Sequence, residues 1–209
     1  MSTLDALRAF WDERYAAEDF AYGTEPNDFL RQHCGAIRPG GKVLCLADGE
    51  GRNGVWLATQ GFDVTSVDVS ERGLEKARSL AQRCGVAIRT VAADVTAFEL
   101  GQGWDGIVSI FLHLPAAVRE PLHQRCMAAL APTGVFLYEA YGHEQLRFNT
   151  GGPREPRLLP QLEEVLAELQ DHRIQHQFAG TRLVQEGPLH HGEGYVIQVV
   201  ATPGRPDRK

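Results

Sequence analysis

The chain has 209 residues, 43 % hydrophobic and 23 % charged, which suits one domain with its own core and leaves little room for a second. A formal net charge of -6 weighs against a large phosphate-binding face, and so against nucleic acid as a partner. The N-terminus lacks the apolar core of a secretory signal, no apolar run reaches bilayer length, and Cys34, Cys45, Cys84 and Cys126 form no C-x-x-C pair. The expectation is a cytoplasmic protein with reduced thiols, no membrane partner and no metal.

Leu4, Leu7, Phe10, Trp11 and Tyr15 recur at helical spacing and predict an amphipathic first helix. Gly23 and Pro26 mark a loop before a short helix through Leu30. After the break "RPGG", "KVLCLA" reads as a buried parallel strand. It runs into the glycine-rich stretch "ADGEGRNG", where Asn53 is placed to cap the helix "GVWLATQG". "FDVTSVD" is the second strand, ending at Asp68. Ser70 caps the next helix, whose apolar positions Leu74, Ala77, Ala81 and Cys84 lead to Gly85.

"VAIRTVAAD" reads as the third strand, ending at Asp94, and "WDGIVSIFLHL" as the fourth. Pro115 and Pro121 punctuate a helical stretch to Leu130, with Pro121 restarting the helix or lying in its first turn. "APTG" leads into a fifth strand, "VFLYEAY". A polar loop with "NTGGPREP" follows, then a helix with Leu159, Leu162, Val165, Leu166 and Leu169. "HQFAGTRLVQEG" and "GYVIQVVAT" are consecutive strands joined by a His/Gly-rich turn, and so antiparallel. Residues 203–209 read as a flexible tail after a single domain, 1–202.

A run of β-α units closed by a hairpin predicts an α/β fold, a doubly wound and mostly parallel sheet. Such sheets bind ligands beyond the strand carboxyl ends at the topological switch point, which falls at the first strand's exit loop. Gly49, Gly51 and Gly54 there have the G-x-G-x-x-G spacing of a dinucleotide site. Asp68, about 20 residues further on, is placed to accept hydrogen bonds from ribose hydroxyls. NAD and S-adenosylmethionine both satisfy these features. Asp94, at the third strand's end, is an acid placed for an adenine amino group. None of Lys42, Lys76 and Lys209 has Tyr four residues before it, so the Tyr-x-x-x-Lys pair of a short-chain dehydrogenase is missing. An NAD(P)-dependent oxidoreductase stays as the alternative.

The segments "FWDERY", "AYGTEPNDFL", "LADGEGRNGVWLA", "VTSVDVS", "AADV", "SIFLHLP" and "GVFLYEAY" cover most of the chain. With them it resembles the class I S-adenosylmethionine-dependent methyltransferases, in the group similar to tellurite-resistance and thiopurine methyltransferases. The resemblance implies a Rossmann-like sheet of seven strands and an N-terminal helical lid over about 1–33. It also implies S-adenosylmethionine as cofactor and methyl transfer to a small-molecule acceptor, such as a thiol or another soft nucleophile, by a monomer or homodimer.

Carried onto this chain, it implies cofactor contacts from Tyr22, Ala47, Asp48, Gly49, Gly51, Asn53, Asp68, Val69, Asp94, Val95 and Phe111. Trp11, Tyr15, Gln145 and Arg154 are the candidate acceptor contacts, and His113 and Tyr141 the candidate catalytic groups. This chain has Cys45 where the family pattern has an acid and Ala47 where it has a glycine. Asp48 or the loop backbone is then left to hold the methionine amino group, and Gly54 becomes an ordinary early helix position. That departure keeps a non-catalytic S-adenosylmethionine-binding module as a further alternative. His190 and His191 share the final turn without a visible third ligand, so no metal is assigned to them.

Overall fold

The computed structural model describes residues 3–204. The expected tail lies outside the described residues from 205 onward. Seven strands form one sheet: β1 (Lys42–Leu46), β2 (Asp63–Asp68), β3 (Arg89–Ala92), β4 (Trp104–Ile110), β5 (Leu130–Tyr141), β6 (Arg173–Gln185) and β7 (His191–Thr202). Their spatial order is β3-β2-β1-β4-β5-β7-β6. The first five are parallel, and β7 runs antiparallel to both β5 and β6. The order reverses between β1 and β4, which puts the switch point at the exit of β1.

Strand β1 is apolar because both its faces are covered. Leu44 and Leu46 join Ile107, Phe136 and Tyr138 on one face, under α5 (Ala116–Ala129) and α6 (Leu162–Glu168). Val43 and Cys45 join Val64, Val108 and Leu137 on the other, under α2 (Asp28–His33) and α3 (Arg52–Thr59). Helix α4 (Glu71–Arg83) begins at Ser70, whose Oγ accepts from Gly73 N at 3.0 Å.

Several boundaries differ from the sequence reading. Gly51, at φ +84°, takes the cap position of α3, so Asn53 lies inside its first turn. Asn53 Oδ1 instead accepts from Asn27 N at 2.9 Å. Strand β3 is shorter than 86–94 because it is an edge strand paired only with β2. Strand β4 stops at Ile110 because Phe111 turns left-handed, φ +55°. Helix α5 runs straight through Pro121, giving up one hydrogen bond to the Ala117 carbonyl. Strand β5 already starts at Leu130, with "APTG" inside it, and α6 starts only at Leu162, where Gln161 N donates to Glu164 Oε2 at 3.3 Å. Cys84 is an exposed cap after α4; the buried stripe is Leu74, Ala77, Leu80 and Ala81.

Gly54 is not an ordinary helix position. A Cβ there would lie 2.4 Å from both Asp48 Oδ2 and Ser66 Oγ, so only glycine lets α3 approach the sheet this closely. The first helix, α1 (Thr3–Arg14), does not pack its apolar stripe into the core. Leu7 and Phe10 are exposed, Trp11 is half-buried, and of the predicted stripe only Tyr15 is buried. Its apolar face looks onto a cleft.

Candidate active site

The cleft has a volume of about 840 Å³ and opens at the carboxyl ends of the parallel strands. Its floor comes from the exits of β1, β2, β3 and β4. Residues of α1 form one rim, and segments 149–154 and 188–190 form the other.

At the exit of β1 the backbone is left-handed twice within three residues, at Ala47 (φ +50°) and Gly49 (φ +55°). That bend points Gly49 N toward Asp68, whose Oδ2 accepts from it at 2.9 Å. Asp68 Oδ1 accepts from Ser70 N at 2.8 Å. The acid at the end of β2 thus ties the glycine loop to the start of α4. Burial raises the Asp68 carboxyl above its usual range, and these backbone donors partly offset it.

Asp48 is half-buried. Ser66 Oγ donates to its Oδ2 at 2.6 Å and Gly54 N to its Oδ1 at 3.3 Å. Burial dominates these two donors and pushes its carboxyl up to about 7. Asp94, beyond β3, accepts on Oδ1 from Thr96 N at 2.9 Å and from Thr96 Oγ1 at 2.7 Å.

An aromatic wall stands after β4. The Phe111 ring stacks on Tyr141 at 4.6 Å and meets the His190 ring edge-on at 4.7 Å. The Tyr22 ring also packs on His190, at 4.6 Å. His113 Nδ1 lies 3.3 Å from the Leu158 carbonyl. A carbonyl only accepts, so Nδ1 carries the proton and Nε2 keeps its lone pair. Nε2 of His113 and Nδ1 of His190 have no hydrogen-bond partner. Burial lowers the His113 pKa to about 4, and burial with the Arg52 charge lowers that of His190 to about 3.

Trp11, Tyr15, Tyr22, Ala47, Asp48, Gly49, Asn53, Asp68, Val69, Asp94, Val95, Phe111, His113 and Arg154 all line this one cleft. Gly51 does not: a Cβ there would meet Ala77 at 2.5 Å, so it serves the packing of α3 on α4. Tyr141 and Gln145 stand behind the wall. Tyr141 is fully buried and its hydroxyl donates to the Thr150 carbonyl at 3.3 Å. Gln145 donates to Thr150 Oγ1 and the Gly151 carbonyl, and accepts from Tyr195 N at 2.7 Å. Its amide is thus committed to holding the 149–152 segment against β7. Burial also raises the Tyr141 hydroxyl pKa, which disfavours its ionised form.

Sequence reasoning did not place Leu7, Phe10, Glu50, Arg52 or His190 at the site, though all line the cleft. Arg52 and Glu50 sit inside the glycine stretch, and that was the available signal. His190 carried none, since a turn histidine reaches the cleft only through the fold.

The neutral state of His113 gives a direct test. Its folded pKa lies below the unfolded value near 6.5, so the unfolded chain binds the extra proton. The resulting stability is complete above about pH 6.5 and fades as the pH falls toward about 4. Imidazole NMR should show His113 titrating near pH 4 as the Nδ1–H tautomer. A midpoint near 6.5 would place the ring in water.

Residues 43–134 match the family model described as a methyltransferase domain. The seven-stranded fold is the one seen in solved S-adenosylmethionine-dependent methyltransferases. It aligns with the solved structure titled "Conversion of a Disulfide Bond into a Thioacetal Group during Echinomycin Biosynthesis" at TM-score 0.75 and 14 % identity, covering 100 % of this chain and 93 % of that one. It is 35 % identical over 75 residues to the probable S-adenosyl-L-methionine-dependent methyltransferase TehB of Haemophilus influenzae, 35 % of this chain and 26 % of TehB. It is 34 % identical over 70 residues to the thiopurine S-methyltransferase of Pseudomonas entomophila, 32 % of each chain. The matched segments therefore span a third or less of these curated relatives.

S-adenosylmethionine is the cofactor of this methyltransferase fold, and the donor set here fits it. An acid stands at the end of β2 and another beyond β3, the glycine loop lies beside them, and Val69 and Val95 supply apolar contacts. No helix among the described residues is long and apolar enough to cross a membrane.

Proposed function

We propose that this protein transfers the methyl group of S-adenosylmethionine to a small-molecule acceptor, a thiol or another soft nucleophile, in the cytoplasm. The observation that carries the reading is the convergence on one cleft of Asp68, the Gly49 loop, Asp94 and the Phe111–His190–Tyr22 wall. In it Asp68 takes the ribose hydroxyls, Asp94 and Val95 hold the adenine, and the Ala47–Gly49 backbone faces the methionine. Both oxygens of Asp48 already accept from Ser66 and Gly54, so the loop backbone is favoured over Asp48 for the amino group.

When bound, the cofactor supplies an already activated methyl group, so the protein's task is alignment and exclusion of water. Tyr22 and Phe111 offer aromatic faces to a sulfonium. The lone pair on His113 Nε2 is free to accept a hydrogen bond from the S–H of a thiol and orient its sulfur.

Each arginine of the cleft is engaged within the protein: Arg14 with the Tyr22 hydroxyl at 3.4 Å, Arg52 with Glu186 at 2.5 Å, and Arg154 with the Phe148 carbonyl at 2.8 Å. Both histidines are uncharged at neutral pH. Arg52 is paired with a carboxylate, whereas the Arg14 and Arg154 contacts are to neutral groups and leave their positive charge at the cleft. Sulfur as the nucleophile follows the thiopurine S-methyltransferase relative, and the four free cysteines fit a reducing compartment.

Calorimetric titration tests the reading. S-adenosylmethionine and S-adenosylhomocysteine should bind and NADH should not. A preference for NADH would favour an oxidoreductase. Cofactor binding with no turnover across thiols, selenols and metalloids would favour a binding module.

A further inference from the structure

Helix α1 forms one rim of the cleft, and three of its polar contacts fall at the start of α4. Ser70 Oγ donates to Asp12 Oδ1 at 2.5 Å, and Arg72 N reaches the same oxygen at 3.4 Å. Arg8 Nε donates to the Val69 carbonyl at 3.3 Å. Ser70 is also the cap of α4, and its own N–H donates to Asp68 Oδ1 at 2.8 Å. Asp12, on α1, is therefore joined to the acid at the end of β2 through one intervening residue, Ser70.

A carboxylate is well placed there. The first turn of α4 has unpaired N–H groups and the positive end of the helix dipole, which offset the repulsion between Asp12 and Asp68. Tyr15, just past α1, continues the contact. A Cβ on Gly49 would lie 2.5 Å from its hydroxyl, and one on Gly73 would lie 2.9 Å from its ring. Glycine at both positions lets the end of the covering segment rest directly on the loop and on α4.

We propose that Asp12 is a positioning residue: through Ser70 it latches α1 over the Asp68 end of the cleft, so that docking of the helix and filling of the cofactor site stabilise one another. The inference rests on the reading of the cleft as an S-adenosylmethionine site. The coupling is reciprocal by necessity. A ligand on Asp68 steadies the 68–70 turn to which Asp12 docks, and a docked Asp12 steadies the same turn for the ligand.

The test titrates S-adenosylhomocysteine into the wild type, Asp12→Ala and Asp12→Asn, and follows tryptic cleavage after Arg8 and Arg14 by mass spectrometry. In the wild type the ligand should protect both bonds. Asp12→Ala should bind about tenfold more weakly and lose that protection, with its ligand-free fold intact by circular dichroism. Asp12→Asn keeps an oxygen for the Ser70 hydroxyl and should recover most of both. Unaltered affinity and protection in Asp12→Ala overturn the latch. So does a lower melting temperature with unaltered affinity, or an asparagine variant that behaves like alanine. A wild type that binds neither S-adenosylmethionine nor S-adenosylhomocysteine removes the functional reading first and the latch with it, before any substitution is made.

Discussion

Asp68→Ala is expected to bind S-adenosylhomocysteine about 1–3 kcal/mol more weakly than the wild type, between roughly fivefold and 150-fold. Two losses combine. The ribose loses a charged acceptor, and two backbone donors, Gly49 N at 2.9 Å and Ser70 N at 2.8 Å, lose theirs. The glycine loop and the start of α4 are then no longer tied to each other. Asp68→Asn keeps one acceptor oxygen and can serve only one of these donors without the charge, so it should fall between. Calorimetry on the three proteins, with circular dichroism to verify folding, decides the matter. Wild-type affinity in the alanine variant would move the ribose site away from β2.

The largest effect on stability is expected at Arg182, which the site itself does not use. Arg182, on β6, donates to Glu139 on β5 and to Glu186 at 2.6 Å. Asn27 Nδ2 bridges the same two carboxylates at 3.0 Å each, and Arg52 pairs with Glu186 at 2.5 Å. Glu139 and Glu186 are 0 % and 2 % exposed, so neither can turn to water. Burial raises the Glu139 carboxyl further than Arg182 pulls it down. For Glu186 burial acts the same way, but Arg52 and Arg182 together hold it below its usual range.

Arg182→Met keeps most of the side-chain volume and leaves two buried carboxylates facing one guanidinium. Breaking such a pair costs about 3–5 kcal/mol. For a chain of this length that corresponds to a melting temperature lower by roughly 10 °C. Arg182→Lys retains the charge with fewer donors and should lie between. Denaturant unfolding of the methionine variant within 1 kcal/mol of wild type would mean that the cluster contributes little.

The two residues differ in how visible they are in the sequence. Asp68 is legible because it ends an apolar strand at a fixed distance from a glycine loop, and both signals are local. Ser70 is legible for the same reason, as a cap residue before a helical stripe. Arg182 and Glu186 show nothing of their role, because their partners Arg52, Asn27 and Glu139 are supplied by distant elements. The stripe of α1 is legible as amphipathic, but the periodicity reads alike whether the apolar face covers a core or a cleft. Gly54 illustrates the opposite error. The family pattern makes its glycine dispensable, yet Asp48 and Ser66 would both lie 2.4 Å from a Cβ.

By itself the sequence determined the order of strands and helices, the β1 exit as part of the cleft floor, and the acids Asp68 at the end of β2 and Asp94 beyond β3. These follow from hydrophobic periodicity, caps and glycine turns, which act over a few residues along the backbone. Only the tertiary structure decided that α1 turns its apolar face to the cleft, that Tyr141 and Gln145 stand behind the wall, and that His190 completes it. Those outcomes depend on contacts between residues far apart in the chain, whose distances and burial no local pattern encodes.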